Sequence, residues 1–199
     1  MVPPMLPLVT CRTAALALPL LLLPSFSGVA AEPKPETESG VHKVQQKETS
    51  PSVTRLGGTQ GWDAYSDTEK GHKICYVLGT PSKTEPGDAK RAKVFASITH
   101  RPAEKVTDEV SFNAGYLFKE GSDAELAIDG KKFTLFTNKD GAWARDAQAD
   151  KAVVSALAKG KQAVIKGVSA RGTQTTDSYT LAGLSQALVQ IDKACGVKR

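Results

Sequence analysis

Aromatic residues, histidines and cysteines are all scarce in this chain of 199 residues. Aromatic side chains make up 6% of the sequence, and there are three histidines and three cysteines. Three cysteines are too few for a small scaffold in which disulfides replace a hydrophobic core. With 40% hydrophobic and 24% charged residues, the composition instead indicates one globular domain with some additional chain.

The sequence also lacks a block of charge of one sign. Lysine and arginine number 26 against 21 aspartates and glutamates, a net charge of +5, and the basic residues are scattered along the chain. Proteins that bind nucleic acid gather basic residues into a patch or stripe. The charge pattern therefore does not indicate a nucleic-acid partner.

The longest apolar run lies near the N-terminus and is rich in leucine. It is interrupted by Pro19 and Pro24, and it is too short to span a bilayer as a helix. Small residues follow it over 27–31, as signal peptidase requires before its cleavage site. We predict a cleaved secretory signal over residues 1–31, so the protein is expected to be exported, with no transmembrane segment after cleavage.

Residues 32–56 have a different composition from the rest of the chain. The segment contains Pro33, Pro35 and Pro51, charges of both signs and no aromatic residue. Such a sequence buries too little apolar surface to offset its conformational entropy. We predict a flexible tether, either a spacer from a surface or an N-terminal tail without a role, before a globular domain over residues 57–199.

The positions of the cysteines bear on their pairing. Cys11 precedes the apolar run, so it is not placed for lipid attachment and leaves with the signal. Cys75 and Cys195 remain, and two cysteines in an oxidising compartment are expected to form a disulfide. The alternative is two separate buried thiols.

Alternation of apolar and polar residues with a period of two dominates the predicted domain, which is typical of half-buried strands. Asp129-Gly130 between two such runs predicts a hairpin, because its tight turn requires positive φ. The predicted strands are Ile74 to Leu78, Val94 to Ile98, Val110 to Phe118, Leu126 to Ile128, Phe133 to Leu135, Val164 to Ser169 and Ser178 to Leu181.

Two segments have helical periodicity instead. Residues 150–159 predict a short helix that is capped by Asp150 and ends at Gly160. In the last segment Leu184, Leu188, Ile191 and Cys195 share one helical face, with Ser185 as a candidate cap. Short strands without a repeating strand-helix-strand unit predict a mainly β fold, an antiparallel β-sandwich with one or two short helices.

Catalytic and metal-binding motifs are not found. His42, His72 and His100 are dispersed, and His72 with Cys75 has no second pair of ligands. Ser185, in Gly183-Leu184-Ser185, lies at a predicted strand-to-helix turn, where an α/β-hydrolase places its nucleophile. In that fold the histidine follows the serine in the chain, and no histidine follows Ser185, so a helix cap is favoured. We expect no catalytic, metal-binding or cofactor-binding residues.

Two groups of residues are candidates for a binding surface. A cationic surface could attract an anionic lipid or glycan, although such residues are often only the solvated face of a strand. Trp62 and Trp143 are candidates for an interface, but packing in the core or at the domain edge is the more common use of tryptophan. The cationic residues are Lys90, Arg91 and Lys93, and Lys159, Lys161 and Lys166.

Several short motifs follow one another between residues 61 and 195. They include Arg101-Pro102-Ala103-Glu104-Lys105-Val106, Gly115-Tyr116, Asp140-Gly141-Ala142-Trp143, and Arg171-Gly172-Thr173 with Asp177, Tyr179, Gly183 and Gln186. Together with Cys75-Tyr76 and the terminal Cys195, these motifs resemble the bacterial invasion-associated locus B family. The resemblance covers essentially the whole predicted domain.

The resemblance implies an immunoglobulin-like β-sandwich in a secreted envelope protein, and it implies no catalytic residues. We therefore expect a non-enzymatic binding or structural module, periplasmic, associated with the outer membrane or extracellular. Its partner would be an envelope or host-surface component, with a role in host-cell invasion or envelope interaction. The alternatives are a periplasmic stress or assembly factor and, with less support, an envelope hydrolase whose residues converge only in the folded chain.

Overall fold

The computed structural model describes residues 53–87 and 90–199. The predicted signal, residues 1–31, and the predicted tether up to residue 52 lie outside the described residues. The predicted end of the tether at residue 56 is wrong, because residues 54–56 belong to the first strand, which pairs with the second.

Eleven strands and two helices make up the described part of the chain, together with one turn of 3₁₀-helix at Pro102–Glu104. The helices are α1 (Ala147–Lys159) and α2 (Leu184–Cys195). The strands are β1 (Thr54–Thr59), β2 (Trp62–Glu69), β3 (His72–Gly79), β4 (Lys83–Glu85), β5 (Phe95–Arg101), β6 (Val106–Asn113), β7 (Asp123–Ile128), β8 (Lys131–Asn138), β9 (Gly141–Trp143), β10 (Gln162–Val168) and β11 (Gln174–Thr180).

All of these strands belong to one antiparallel sheet, in the order β1-β2-β3-β5-β6-β9-β8-β7-β10-β11-β4. The short strand β9 pairs with both β6 and β8 and so joins two halves of the sheet. The halves face each other: the Trp62 indole donates to the Thr180 carbonyl oxygen at 2.8 Å, and the rings of Phe112 and Tyr179 lie 5.7 Å apart. The predicted mainly β antiparallel fold is confirmed, and the facing halves agree with the sandwich that the resemblance implied.

The hairpin predicted at Asp129-Gly130 is confirmed. Ile128 pairs with Lys131, and the two turn residues have φ of 46° and 87°, the left-handed conformation that a two-residue hairpin loop requires. In strand β3 the buried residues are Cys75, Val77 and Gly79, whereas the apolar residues between them are only half-buried.

The strand predicted from Val110 to Phe118 is wrong in its second half. Strand β6 ends at Asn113, whose side-chain oxygen accepts the N–H of Gly115 at 2.9 Å. Gly115 has φ of 71°, and a Cβ there would lie 2.5 Å from the Ala92 carbonyl oxygen. The chain turns at this glycine, and Phe118 forms only an isolated bridge with Ser169.

The cap predicted for the first helix is also wrong. Asp146, four residues before Asp150, accepts the N–H of Ala149 at 2.8 Å and caps helix α1. Asp150 lies within the first turn and accepts the N–H of Val110 at 2.9 Å, which ties the helix to strand β6. The end of the helix at Gly160 is confirmed.

Helix α2 is confirmed, but Ser185 does not cap it. The helix follows Gly183, which has φ of 89° and provides no side-chain cap. The Ser185 hydroxyl instead donates to the Ala158 carbonyl oxygen of α1 at 2.6 Å. The serine therefore joins the two helices.

The disulfide between Cys75 and Cys195 is present in the structure. It joins strand β3 to the last residue of α2, with a Cα–Cα distance of 6.0 Å. Within residues 53–87 and 90–199, no group of three or more His, Cys, Asp or Glu side chains is placed to hold a metal ion. No helix of the described chain is long and apolar enough to cross a membrane.

Candidate binding groove

A groove of about 570 Å³ lies where the chain leaves strand β6. Three regions that are distant in the sequence form its walls: Pro86 with Lys90 and Arg91, the turn 115–117, and residues 169–175 from the end of β10 into β11. The groove therefore forms only in the folded chain.

A buried ion pair lies beneath one side of the groove. The two terminal nitrogens of Arg91 donate to the two carboxylate oxygens of Asp177 in strand β11, and both side chains are at most 6% exposed. Arg91 also donates to the Ala114 carbonyl oxygen at 3.3 Å. This bidentate contact fixes the segment before β5 against the other half of the sheet.

Tyr116 forms the middle of the groove floor. Its hydroxyl and that of Thr175 are 2.6 Å apart, and the Arg91 guanidinium lies 5.8 Å from the centre of its ring. Burial raises the pKa of the Tyr116 phenol, so the ring stays neutral over the physiological range. The floor is aromatic, hydrogen-bonded and without net charge.

The apolar side chain most accessible from the groove is Leu117, which is 62% exposed. Its backbone is held on both sides, because its carbonyl oxygen accepts the N–H of Ala170 at 2.7 Å and the next N–H, of Phe118, donates to Lys139 at 2.7 Å. A single exposed leucine is ordinary on a protein surface. Leu117 differs in lining a concavity, on a backbone segment that hydrogen bonds hold on both sides.

The opposite wall is a tight turn over residues 169–173. The N–H of Ser169 donates to the Thr173 carbonyl oxygen at 2.9 Å, and the Ser169 hydroxyl accepts the Thr173 N–H at 3.1 Å. Arg171 is exposed at the tip of this turn, and Lys90 is exposed across the groove. Among the described residues, neither cation has a carboxylate within 4.0 Å.

The structure separates the residues of the predicted cationic surface. Lys90 and Lys93 are exposed, but Arg91 is buried in its ion pair with Asp177. Lys159, Lys161 and Lys166 are all exposed, on helix α1, on the loop that follows it and on strand β10. Lys90 and Arg91 thus line the groove, whereas Lys93 and the second group do not.

The two tryptophans have different surroundings. Trp62 is 2% exposed and belongs to the core, where its ring lies 6.2 Å from that of Tyr179. Trp143 is half-buried and stacks on Phe136 with ring centres 5.8 Å apart. Neither tryptophan lines the groove.

His100 forms the one buried histidine–carboxylate contact in the described chain. Its Nδ1 accepts the N–H of Asp108 at 3.1 Å, so its Nε2 carries the proton and donates to Asp192 at 2.9 Å. Arg199 donates to both oxygens of Asp192. The ring is fully buried and both nitrogens are occupied, so His100 offers no free base to a substrate.

Leu117, Arg171 and Thr175 were not identified from the sequence as residues of a site. Leu117 is one apolar residue in a run of alternating residues, and Arg171 is one of many scattered cations. Only the juxtaposition of these segments in the fold gives them a common surface.

A protein-family model described as "Invasion associated locus B (IalB) protein" matches residues 62–192 of the chain. The match includes strands β2 to β11, most of helix α2 and the walls of the groove. No curated protein and no solved structure matches the chain significantly.

Proposed function

The chain belongs to the invasion-associated locus B family, and on that premise we propose that it is an exported, non-enzymatic binding module of the bacterial cell envelope. The predicted signal over residues 1–31 supports export. The disulfide between Cys75 and Cys195 supports it independently, because such bonds persist in oxidising compartments. These features favour the periplasm or the outer surface of the cell, and a role in invasion or envelope interaction would follow from binding there.

The observation that carries the proposal is the exposed Leu117 within the groove. The Leu117 side chain is accessible, and its backbone is held by hydrogen bonds. The floor of the groove beside it is neutral and aromatic. Binding surfaces commonly place an apolar anchor residue in a concave site. When the anchor is already held in place, little conformational entropy is lost as a partner covers the anchor.

The charges around the groove indicate the chemistry of the partner. Lys90 and Arg171 lie on opposite walls, and the Arg91 charge beneath is already neutralised by Asp177. The two exposed cations would attract a partner with negative charge next to an apolar group. Anionic components of the envelope or of a host surface have this character.

A role as an envelope hydrolase has less support. The buried His100 uses both ring nitrogens within the fold, and Ser185 donates its hydroxyl to the Ala158 carbonyl oxygen. A nucleophile and base would have to be supplied by other residues. A role in periplasmic stress or assembly would use the same binding surface and differs in the identity of the partner.

Co-sedimentation of the purified mature protein with envelope vesicles tests the proposal. The variants are Leu117→Ser and Arg171→Glu in the groove, and the matched controls are Val189→Ser and Lys193→Glu on helix α2. Val189 is 64% exposed, close to the 62% of Leu117, and Lys193 is exposed like Arg171.

We expect each groove variant to weaken binding by about tenfold, the effect of losing one buried apolar anchor or one charged contact. The control variants should bind as the wild type does. Thermal unfolding of all four variants shows whether each remains folded. Failure of the wild type to bind, or equal losses in the groove and control variants, would contradict the proposal.

A further inference from the structure

A second and larger pocket lies near the start of strand β6, next to the disulfide. Its volume is about 670 Å³. It is formed by Lys105 after the 3₁₀-turn, by the exposed face of helix α1 from Lys151 to Lys159, and by residues 195–199 after helix α2. None of these residues lines the groove that contains Leu117.

Four lysines surround this pocket, and we call it the lysine pocket. They are Lys105, Lys151, Lys159 and Lys198, all of them exposed. In the described part of the chain none of the four has a carboxylate within 4.0 Å. Four unpaired cations around one concavity create a strongly positive local potential, which attracts anions.

The one acidic side chain that lines the lysine pocket is already neutralised. Asp108 accepts a hydrogen bond from Arg199 at 2.7 Å and is 8% exposed. The Asp108 carboxylate therefore competes only weakly for the lysines.

The wall formed by the C-terminal residues is fixed in place. Arg199 donates to both Asp192 and Asp108, and the N–H of Val197 donates to the Asp192 carbonyl oxygen at 2.9 Å. Cys195 is held to strand β3 by the disulfide. A preformed pocket loses little entropy when it binds a ligand.

The number and distribution of the lysines indicate the charge of the ligand. Lys151 and Lys159 are two residues of helix α1 that face the same pocket, separated by roughly 12 Å at 1.5 Å per residue. One phosphate group, with at most about two negative charges near neutral pH, would leave part of the charge of the four lysines unpaired. Between Lys151 and Lys159, Ser155 adds a hydroxyl to the same face.

We propose that the lysine pocket binds a ligand that carries more than one phosphate group. Lysine recognises phosphate as a compact positive charge, and four lysines on three elements would contact separate phosphates. The ligand is either a soluble polyphosphorylated compound or the headgroup of a phosphorylated lipid. This inference does not depend on the groove or on the proposed function.

Isothermal titration of the mature protein with inorganic tripolyphosphate at low ionic strength tests the inference. The variant is Lys151→Gln with Lys159→Gln, which keeps the helix-forming tendency of both positions. The matched control is Lys73→Gln with Lys166→Gln, which removes two exposed lysines from strands outside the pocket.

We expect tripolyphosphate to bind the wild type and the control variant with similar affinity, and the pocket variant at least about tenfold more weakly. Leu117→Ser should bind tripolyphosphate as the wild type does. Loss of binding at the groove can therefore be distinguished from loss of binding at the lysine pocket. No binding by the wild type, or equal weakening in both double variants, would overturn the inference.

Flotation with phosphatidylcholine vesicles, with and without a bisphosphorylated lipid, distinguishes the two sources. Binding to the phosphorylated vesicles that is lost in Lys151→Gln/Lys159→Gln would assign the pocket to a lipid headgroup. Binding of tripolyphosphate without binding to vesicles would assign it to a soluble ligand.

Discussion

Asp150 shows how the surroundings of a single residue decide its role. Burial, together with the nearby carboxylates of Glu109, Asp108 and Asp146, raises the pKa of Asp150 from 3.8 to about 6, although the hydrogen bond from the Val110 N–H lowers it. Between about pH 4 and pH 6 the folded protein therefore holds a proton on Asp150 that the unfolded chain has released. Ionised Asp150 reduces the stability of the fold.

We predict that this effect of Asp150 on the free energy of unfolding becomes more unfavourable as the pH rises from about 4 to about 6. Asp150→Asn removes the ionisable group and keeps an oxygen for the Val110 N–H. Urea unfolding across this range should show the variant gaining stability relative to the wild type as the pH rises. A difference between the two proteins that is independent of pH would contradict the raised pKa.

The same region shows what the sequence cannot decide at the scale of a residue. We predicted Asp150 as the cap, because aspartate is a favoured cap residue and the apolar positions of the helix follow it. The structure uses Asp146 as the cap and Asp150 as an acceptor for strand β6. The choice depends on a tertiary contact, and local pattern does not encode it.

Helix α2 is the element that depends most on a long-range link. Its apolar face, with Leu184, Leu188 and Ile191, is buried, and its last residue is joined to strand β3 across 120 residues of sequence. A closure of this length removes much of the conformational entropy of the unfolded chain.

We predict that Cys75→Ala with Cys195→Ala lowers the free energy of unfolding by about 2–5 kcal/mol. Denaturant titration measures the change, and a reducing agent should destabilise the wild type by a similar amount while leaving the variant unaffected. Equal stability of the two proteins, or the same response to the reducing agent, would show that the disulfide does not stabilise the fold.

Elements were predictable from the sequence where the signal was local. The Asp129-Gly130 hairpin and the periodicity of helix α2 are carried by adjacent residues, and both are confirmed. The end of strand β6 was not predictable, because alternation continues past Asn113 to Phe118. Its end depends on how closely Gly115 approaches Ala92, a contact made only in the folded chain.

For the whole molecule, the mainly β class followed from the sequence, but the order of the strands did not. Strand β4 lies at the far edge of the sheet, next to β11, although it follows β3 in the chain. The groove depends on this long-range arrangement, because Arg91 reaches Asp177 only when the two halves of the sheet face each other. The candidate binding surface could therefore not be predicted from sequence patterns.

The membership of the invasion-associated locus B family and the geometry of the groove support one central proposal, that the protein acts by binding through the surface around Leu117. The structure keeps this surface rigid and exposed, so its protection from solvent should report directly on a partner. Lys90 and Arg171 would supply the initial attraction, and Leu117 would supply the buried contact.

Hydrogen–deuterium exchange of the wild-type protein, with and without envelope vesicles, is the most direct test of this claim. We predict that the vesicles slow exchange in residues 115–118 and 169–173 and leave the exposed face of helix α2 around Val189 unchanged. Slowed exchange confined to helix α2, or no change at either surface, would contradict the claim.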